Sequence, residues 1–160
     1  MSWKDYLYRQ DTQALKQDVA GQNLNDVIIQ TTETLKYDYL LKVFTSAMLP
    51  MLFIGSTGTG KTIASKQFIK GLNIDKFDSS TLCFSAKSSA FSTQKIIDSK
   101  LERRRKGVIG PKLNKTYIFF IDDLNMPAVE PEGAQPAIEL LRQVVDHQAW
   151  YDFNDKKDLP

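Results

Sequence analysis

The sequence holds one cysteine, Cys83, and one histidine, His147. One thiol closes no internal disulfide and fits a reducing compartment. One imidazole excludes a histidine metal cage built from this chain alone. The longest apolar runs are Met51–Ile54 and Tyr117–Ile121. Both fall far short of the roughly 20 residues that a membrane-spanning helix needs. The first ten residues, MSWKDYLYRQ, contain no apolar core of a signal peptide. There is no internal repeat and no low-complexity stretch. What is present, 42% apolar and 25% charged residues over 160 positions, is ordinary for a globular chain of about one domain.

The net charge of +2 excludes little, but its distribution is uneven. Residues 84–116 hold nine Lys/Arg and two acids, whereas residues 117–160 hold three Lys/Arg and nine acids. A basic block followed by an acidic one can face a polyanion, a neighbouring subunit, or each other.

The pattern of apolar positions and breakers predicts an alternation of strands and helices. Residues 1–26 read as a polar lead-in, and Val27–Ile29 as a short strand. Thr31 to Thr34 supply helix caps, and a helix over 35–47 places Leu40, Val43, Phe44 and Ala47 on one face. Met51–Ile54 reads as a strand buried on both faces. A helix over 61–70 turns Ala64 and Phe68 inward. Thr81–Ser85 reads as a second buried strand, and a helix over 90–105 uses Ile96, Ile97 and Leu101. Tyr117–Ile121 is a third strand. A last helix runs from Pro136, suited to a first turn, to His147, with Ile138, Leu141 and Val145 on one face. The class expected is α/β, a mostly parallel sheet flanked by helices.

The most specific motif is Gly55-Ser56-Thr57-Gly58-Thr59-Gly60-Lys61-Thr62, which satisfies G-x-x-x-x-G-K-[ST] in full. Its glycines allow a tight loop whose amides point at phosphate oxygens. A helix opening at Lys61 adds its positive end. Lys61 can reach β- and γ-phosphates, and the Thr62 hydroxyl can ligate Mg²⁺. The expected cofactors are therefore ATP or ADP with Mg²⁺. The competing reading, a glycine-rich turn with an ordinary surface lysine, does not account for strand, loop and helix in the required order.

The second motif is the strand Tyr117–Ile121 running into Asp122-Asp123, which begins 60 residues after Thr62. Asp122 is placed to hold Mg²⁺, and Asp123 stands where a general base would polarise water. Asp123 is shorter than glutamate by one C–C bond, roughly 1.5 Å. A misplacement on the order of 1 Å can cost about 10²-fold in rate, so binding should outlast hydrolysis.

The basic run Lys100, Arg103, Arg104, Arg105 and Lys106 lacks the interleaved aromatics of a nucleic-acid platform. It reads as a solvated helix end. Cys83, inside an apolar strand, reads as a buried thiol. His147 reads as a surface residue, and Trp150, Tyr151 and Phe153 as packing residues.

Three longer words carry a resemblance. Phe120–Pro127 (FIDDLNMP), Gly133–Gln143 (GAQPAIELLRQ) and Ser99–Pro111 (SKLERRRKGVIGP) resemble the dynein heavy chain. More narrowly they resemble the third AAA+ module of an axonemal motor ring. Gln30–Leu41 is similar to the same module. The resemblance covers residues 27–152, and Val129–Glu132 departs from it. It implies a P-loop NTPase fold, the AAA+ large subdomain, over residues 27–160. It also implies a regulatory ATP site in a ring of six modules, with little or no hydrolysis by the chain alone. By the same resemblance the partners are neighbouring AAA+ modules. Intermediate chains, light chains and microtubules are reached only through the full-length motor, in the cytoskeleton of a cilium or axoneme, with no membrane and no nucleic acid.

Only 37 residues follow Asp123. The resemblance implies a further strand with a polar sensor residue, an arginine finger and a helical lid, none with an obvious candidate here. The sheet is therefore expected to be incomplete at its C-terminal end. The segment 51–54 must then pair directly with 117–121 or leave a gap. Two other readings stand beside this one. They are a stand-alone small P-loop enzyme acting on nucleotide or nucleic acid, and a truncated chain with no independent role.

Overall fold

A computed structural model describes residues 31–151. Residues 1–26, Val27–Ile29 and Phe153 lie outside the described residues. The chain divides into two compact units after Lys70.

In the first unit, helix α1 spans Thr32–Ser46 and helix α2 spans Lys61–Lys70. Thr31 caps α1 as the sequence predicts. Its hydroxyl accepts from the Thr34 amide at 3.3 Å, and the Thr34 hydroxyl accepts from the Thr31 amide at 2.7 Å. Leu35 is the buried residue of this helix, whereas Val43, assigned to the inner face, is exposed. Helix α2 has the predicted bounds and buries Ala64, Ser65 and Phe68.

Met51–Ile54 is not a strand. Leu52 and Ile54 are 63% and 86% exposed, so the expectation of burial on both faces fails. A strand exists only where its amides and carbonyls find a ladder, and no described strand pairs with this segment. Phe53 instead packs edge-on against Tyr37 of α1, ring centroids 5.4 Å apart.

The second unit holds strand β1 (Phe77–Cys83), helix α3 (Ala90–Asp98), strands β2 (Glu102–Arg105), β3 (Val108–Gly110) and β4 (Thr116–Asp122), and helix α4 (Pro136–His147). Strands β1 and β4 pair in parallel, Phe77 opposite Thr116 through Cys83 opposite Asp122. The Lys115–Asp78 ion pair (2.9 Å) and the Ser80–Tyr117 hydroxyl contact (2.6 Å), two residues apart along each chain and so on one face, help fix the register. Strand β1 begins four residues earlier than the apolar run TLCFS suggests. Its early residues, Phe77–Ser80, are mostly polar, and pairing rather than hydropathy makes them a strand. Leu82, Phe84, Ile97 and Ala137 form the core, with Leu101, Phe119, Ile121, Leu124, Leu141 and Trp150 against it.

The predicted helix over 90–105 is corrected. It starts at Ala90 on a Ser89/Ser92 capping box but stops at Asp98. Lys100 and Leu101 turn back onto the carbonyls of Ile97 and Asp98, and Ser99 Oγ donates to Ile96 at 2.7 Å. After that the run Glu102–Arg105 offers no apolar side to bury, so good helix propensity alone does not hold it. It pairs with Val108–Gly110 as an antiparallel hairpin through Lys106 and Gly107, the latter at φ 73°. Helix α4 has the predicted bounds, but it buries Ala137 and Leu140 and leaves Val145 exposed. Its inner face is therefore turned from the one the spacing suggests.

Candidate functional site

The candidate residues fall in both units, and each half has its own geometry. In the first, residues 55–60 form an exposed loop that runs into α2 at Lys61. Gly58 and Gly60 both sit at φ 79°, a left-handed conformation that glycine adopts without steric cost. A Cβ built on either would meet no atom within 4 Å. The space in front of the turn is therefore open, and the glycines are required by backbone conformation rather than by crowding.

Lys61 folds back over this loop. Its ammonium donates to the carbonyls of Gly55 (3.0 Å) and Ser56 and to Thr59 Oγ1 (3.0 Å). The Thr59 hydroxyl in turn donates to Ser56 O at 3.0 Å. A charged three-donor group thus holds the loop in its turn and keeps its charge beside the helix N-terminus. Those partners are exposed, so an anion can compete for the same ammonium. Thr62, the next residue, lies in the first turn of α2. Buried Ser65 donates to Lys61 O at 3.0 Å and braces that turn. The loop fits a polyphosphate group in charge, donors and open space.

In the second unit Asp122 is the last residue of β4, opposite Cys83. Phe84 N donates to Asp122 O at 3.0 Å, extending the ladder one step past the strand. Asp123 follows at φ 54°, and its carbonyl accepts from Met126 N at 3.0 Å. Aspartate is among the few non-glycine residues that tolerate this region. The reversal turns the exposed Asp123 side chain out of the strand direction at the strand's carboxyl end. Among the described residues no group of three metal-ligating side chains is present.

Two features here were not read from the sequence. Gln135 Nε2 donates to Pro127 O (2.7 Å) and Asn125 O (3.4 Å), bracing the loop after the paired acids. The position of Gln135 immediately before Pro136 is the one clue the sequence offers. Cys83, expected to be buried, is exposed. It ends its strand instead of sitting mid-strand, and in the alternation around it Leu82 and Phe84 take the inward positions. Its thiol reaches Asp123.

A parallel strand pair with flanking helices, a lysine-ended glycine loop opening a helix, and paired acids at a strand's carboxyl end define a P-loop nucleoside-triphosphatase class of domain. Residues 17–159 match the family described as P-loop containing dynein motor region, and the chain belongs to that family. It is similar to Dynein axonemal heavy chain 3 of Homo sapiens, 44% identical over 158 residues, 99% of this chain and 4% of that protein. It is 53% identical over 131 residues to Dynein axonemal heavy chain 1 of Rattus norvegicus, 81% of this chain and 3% of that protein. With Dynein axonemal heavy chain 12 of Mus musculus the identity is 44% over 137 residues, 85% and 4% of the two chains. The chain thus spans a small fraction of the length of these relatives.

Proposed function

We propose that this chain is the ATP-binding part of the third module of an axonemal dynein motor ring, a regulatory site with weak or no hydrolysis of its own. The observation that carries the reading is the loop over 55–60, with left-handed Gly58 and Gly60 and the Lys61 ammonium folded against it. In this reading Gly55, Ser56, Thr57, Gly58, Thr59 and Gly60 supply the loop that receives the phosphates. Lys61 exchanges its loop carbonyls for phosphate oxygens. Thr62 and Asp122 hold Mg²⁺, which neutralises phosphate charge when bound. Asp123 accepts the proton of the attacking water, from a carboxylate about one bond shorter than glutamate would give. Its partners are the neighbouring modules of the ring. Intermediate and light chains and microtubules are reached through the whole motor, in the cytoskeleton of a cilium or axoneme.

The test is titration of the chain with a fluorescent ATP analogue, with and without Mg²⁺, alongside Lys61→Ala and Thr62→Ala. Saturable binding that Lys61→Ala removes and Thr62→Ala makes Mg²⁺-insensitive is expected. Turnover should fall about 10³–10⁵ below that of a site with an arginine finger. A folded chain that shows no saturable binding, or one that turns over briskly alone, overturns the reading.

A further inference from the structure

The hairpin β2–β3 has no part in the site above. All four residues of β2 are exposed, and Lys100, Lys106 and Lys112 flank the hairpin, also exposed. Arg104 differs from its neighbours. The register passes from Arg103 opposite Ile109 to Arg105 opposite Val108, so Arg104 is the extra residue of a bulge. Its guanidinium donates to Pro111 O and lies across Gly110, where a Cβ would come within 3.2 Å of Arg104 Nε. Arg104 is thus used to hold the hairpin. Arg103, Arg105, Lys106, Lys100 and Lys112 enter no ion pair with any described residue. Glu102 is the one acid in this stretch.

In the acidic half of the chain, exposed Glu130 and Glu132 make no ion pair with these cations. On α4, Glu139 and Asp146 are both taken by Arg142. Residues 152–160 carry three aspartates against Lys156 and Lys157. Among the described residues no acid pairs with these cations, which leaves them open to an external counter-charge. Its class follows from what accompanies the cations. Residues 99–115 contain no aromatic ring on which a base could stack. They do expose aliphatic carbon, Leu113 at 72% and Val108 at 36%. Arginine is enriched in protein interfaces, and exposed aliphatic carbon nearby in the chain can pack against apolar side chains of a polypeptide but not against a phosphate backbone.

We propose that the β2–β3 hairpin is a docking surface for an acidic polypeptide segment carrying aliphatic residues. Arg103, Arg105 and Lys106 receive its carboxylates, and Leu113 and Val108 receive its apolar side chains. The proposal is independent of nucleotide binding.

The test uses the whole chain and fluorescence anisotropy of a labelled peptide of about 16 residues built from Glu and Leu. The comparison probe is an oligo-dT of about 20 nucleotides. Arg103→Gln/Arg105→Gln/Lys106→Gln should weaken peptide binding at least about tenfold. The control Lys70→Gln/Lys87→Gln/Lys95→Gln makes the same change in net charge elsewhere and should weaken it by less than about threefold. Leu113→Ser, which removes no charge, should also weaken the peptide while leaving oligo-dT unaffected. Equal losses from the two triple variants would overturn the proposal, because net charge alone would explain them. So would insensitivity to Leu113→Ser, absence of peptide binding, or tighter binding of oligo-dT than of peptide, the last marking a polyanion surface instead.

Discussion

The thiol of Cys83 lies 3.8 Å from Oδ2 of Asp123, a contact between the last residue of one strand and the residue after its parallel neighbour. The ladder sets Cys83 opposite Asp122, and the left-handed turn at Asp123 brings that carboxylate back toward the sulfur. An S–H donor is weak, so the contact orients the carboxylate slightly rather than anchoring it. Its larger consequence is that the chain's single thiol stands beside the paired acids.

Exposure of Cys83 makes it the natural reporter of this corner. The folded chain should take up one equivalent of N-ethylmaleimide, at a rate within about tenfold of that in denaturant. Mass spectrometry of the intact chain during a native time course checks it. Strong protection that denaturant relieves would return Cys83 to the core.

Composition places Cys83 in the core, whereas its position at the strand's end leaves it exposed. Helices α2 and α4 were legible to the residue because each begins with a chemical marker, Lys61 after a glycine loop and Pro136 at a first turn. The loop over 55–62 was legible for the same reason, since its spacing is dictated by local backbone geometry. Partnership was not legible. Met51–Ile54 has the composition of a strand but no described ladder, while the mostly polar Phe77–Ser80 gains strand structure from Thr116–Phe119. The hairpin was hidden because arginine favours helices, and only the Lys106-Gly107 turn hints otherwise. The turned face of α4, with Leu140 inward and Val145 outward, depends on what it packs against.

Asp123 holds a positive φ, so its side chain and its backbone can be separated by substitution. Asp123→Asn keeps a residue that accepts the left-handed region and should leave stability within about 0.5 kcal/mol of the parent. Asp123→Val places a β-branched residue there and should cost on the order of 1–2 kcal/mol. Urea denaturation of the two variants decides it. Equal stabilities would mean the turn relaxes freely and does not fix the carboxylate.

Gln94 ties distant parts of the second unit together. It is 1% exposed, and its Nε2 donates to Tyr151 O at 2.6 Å. That bond holds the chain just after Trp150, which packs on the core. Gln94→Leu removes the donor while keeping much of the volume. It should cost about 0.5–1.5 kcal/mol, the net worth of a typical hydrogen bond. Trp150 fluorescence during denaturation should register the loss. A variant as stable as the parent, with unchanged emission, would show that the Tyr151 carbonyl finds water instead.

The three charges on α4 give a pH dependence with a definite sign. Arg142 donates to Glu139 through Nε at 2.9 Å and to Asp146 through Nη1 at 2.6 Å. The side-chain hydrogen bond from Arg142, and secondarily its charge, hold the Glu139 carboxyl below the ordinary carboxylate range. A carboxylate lowered on folding stabilises the folded state above its unfolded pKa, about 4.3 for glutamate. That contribution is lost as pH falls through the lowered folded value. Arg142→Gln should therefore lower the melting temperature at about pH 7 and converge on the parent in acid, once the pH lies below that lowered folded value. Because all three side chains are well exposed, the difference should be small and should shrink at about 0.5 M salt. Melting curves of parent and variant at both pH values, in low and high salt, make the comparison. A difference that persists unchanged in acid and in salt would place the role of Arg142 in the packing of its aliphatic stem rather than in its charge.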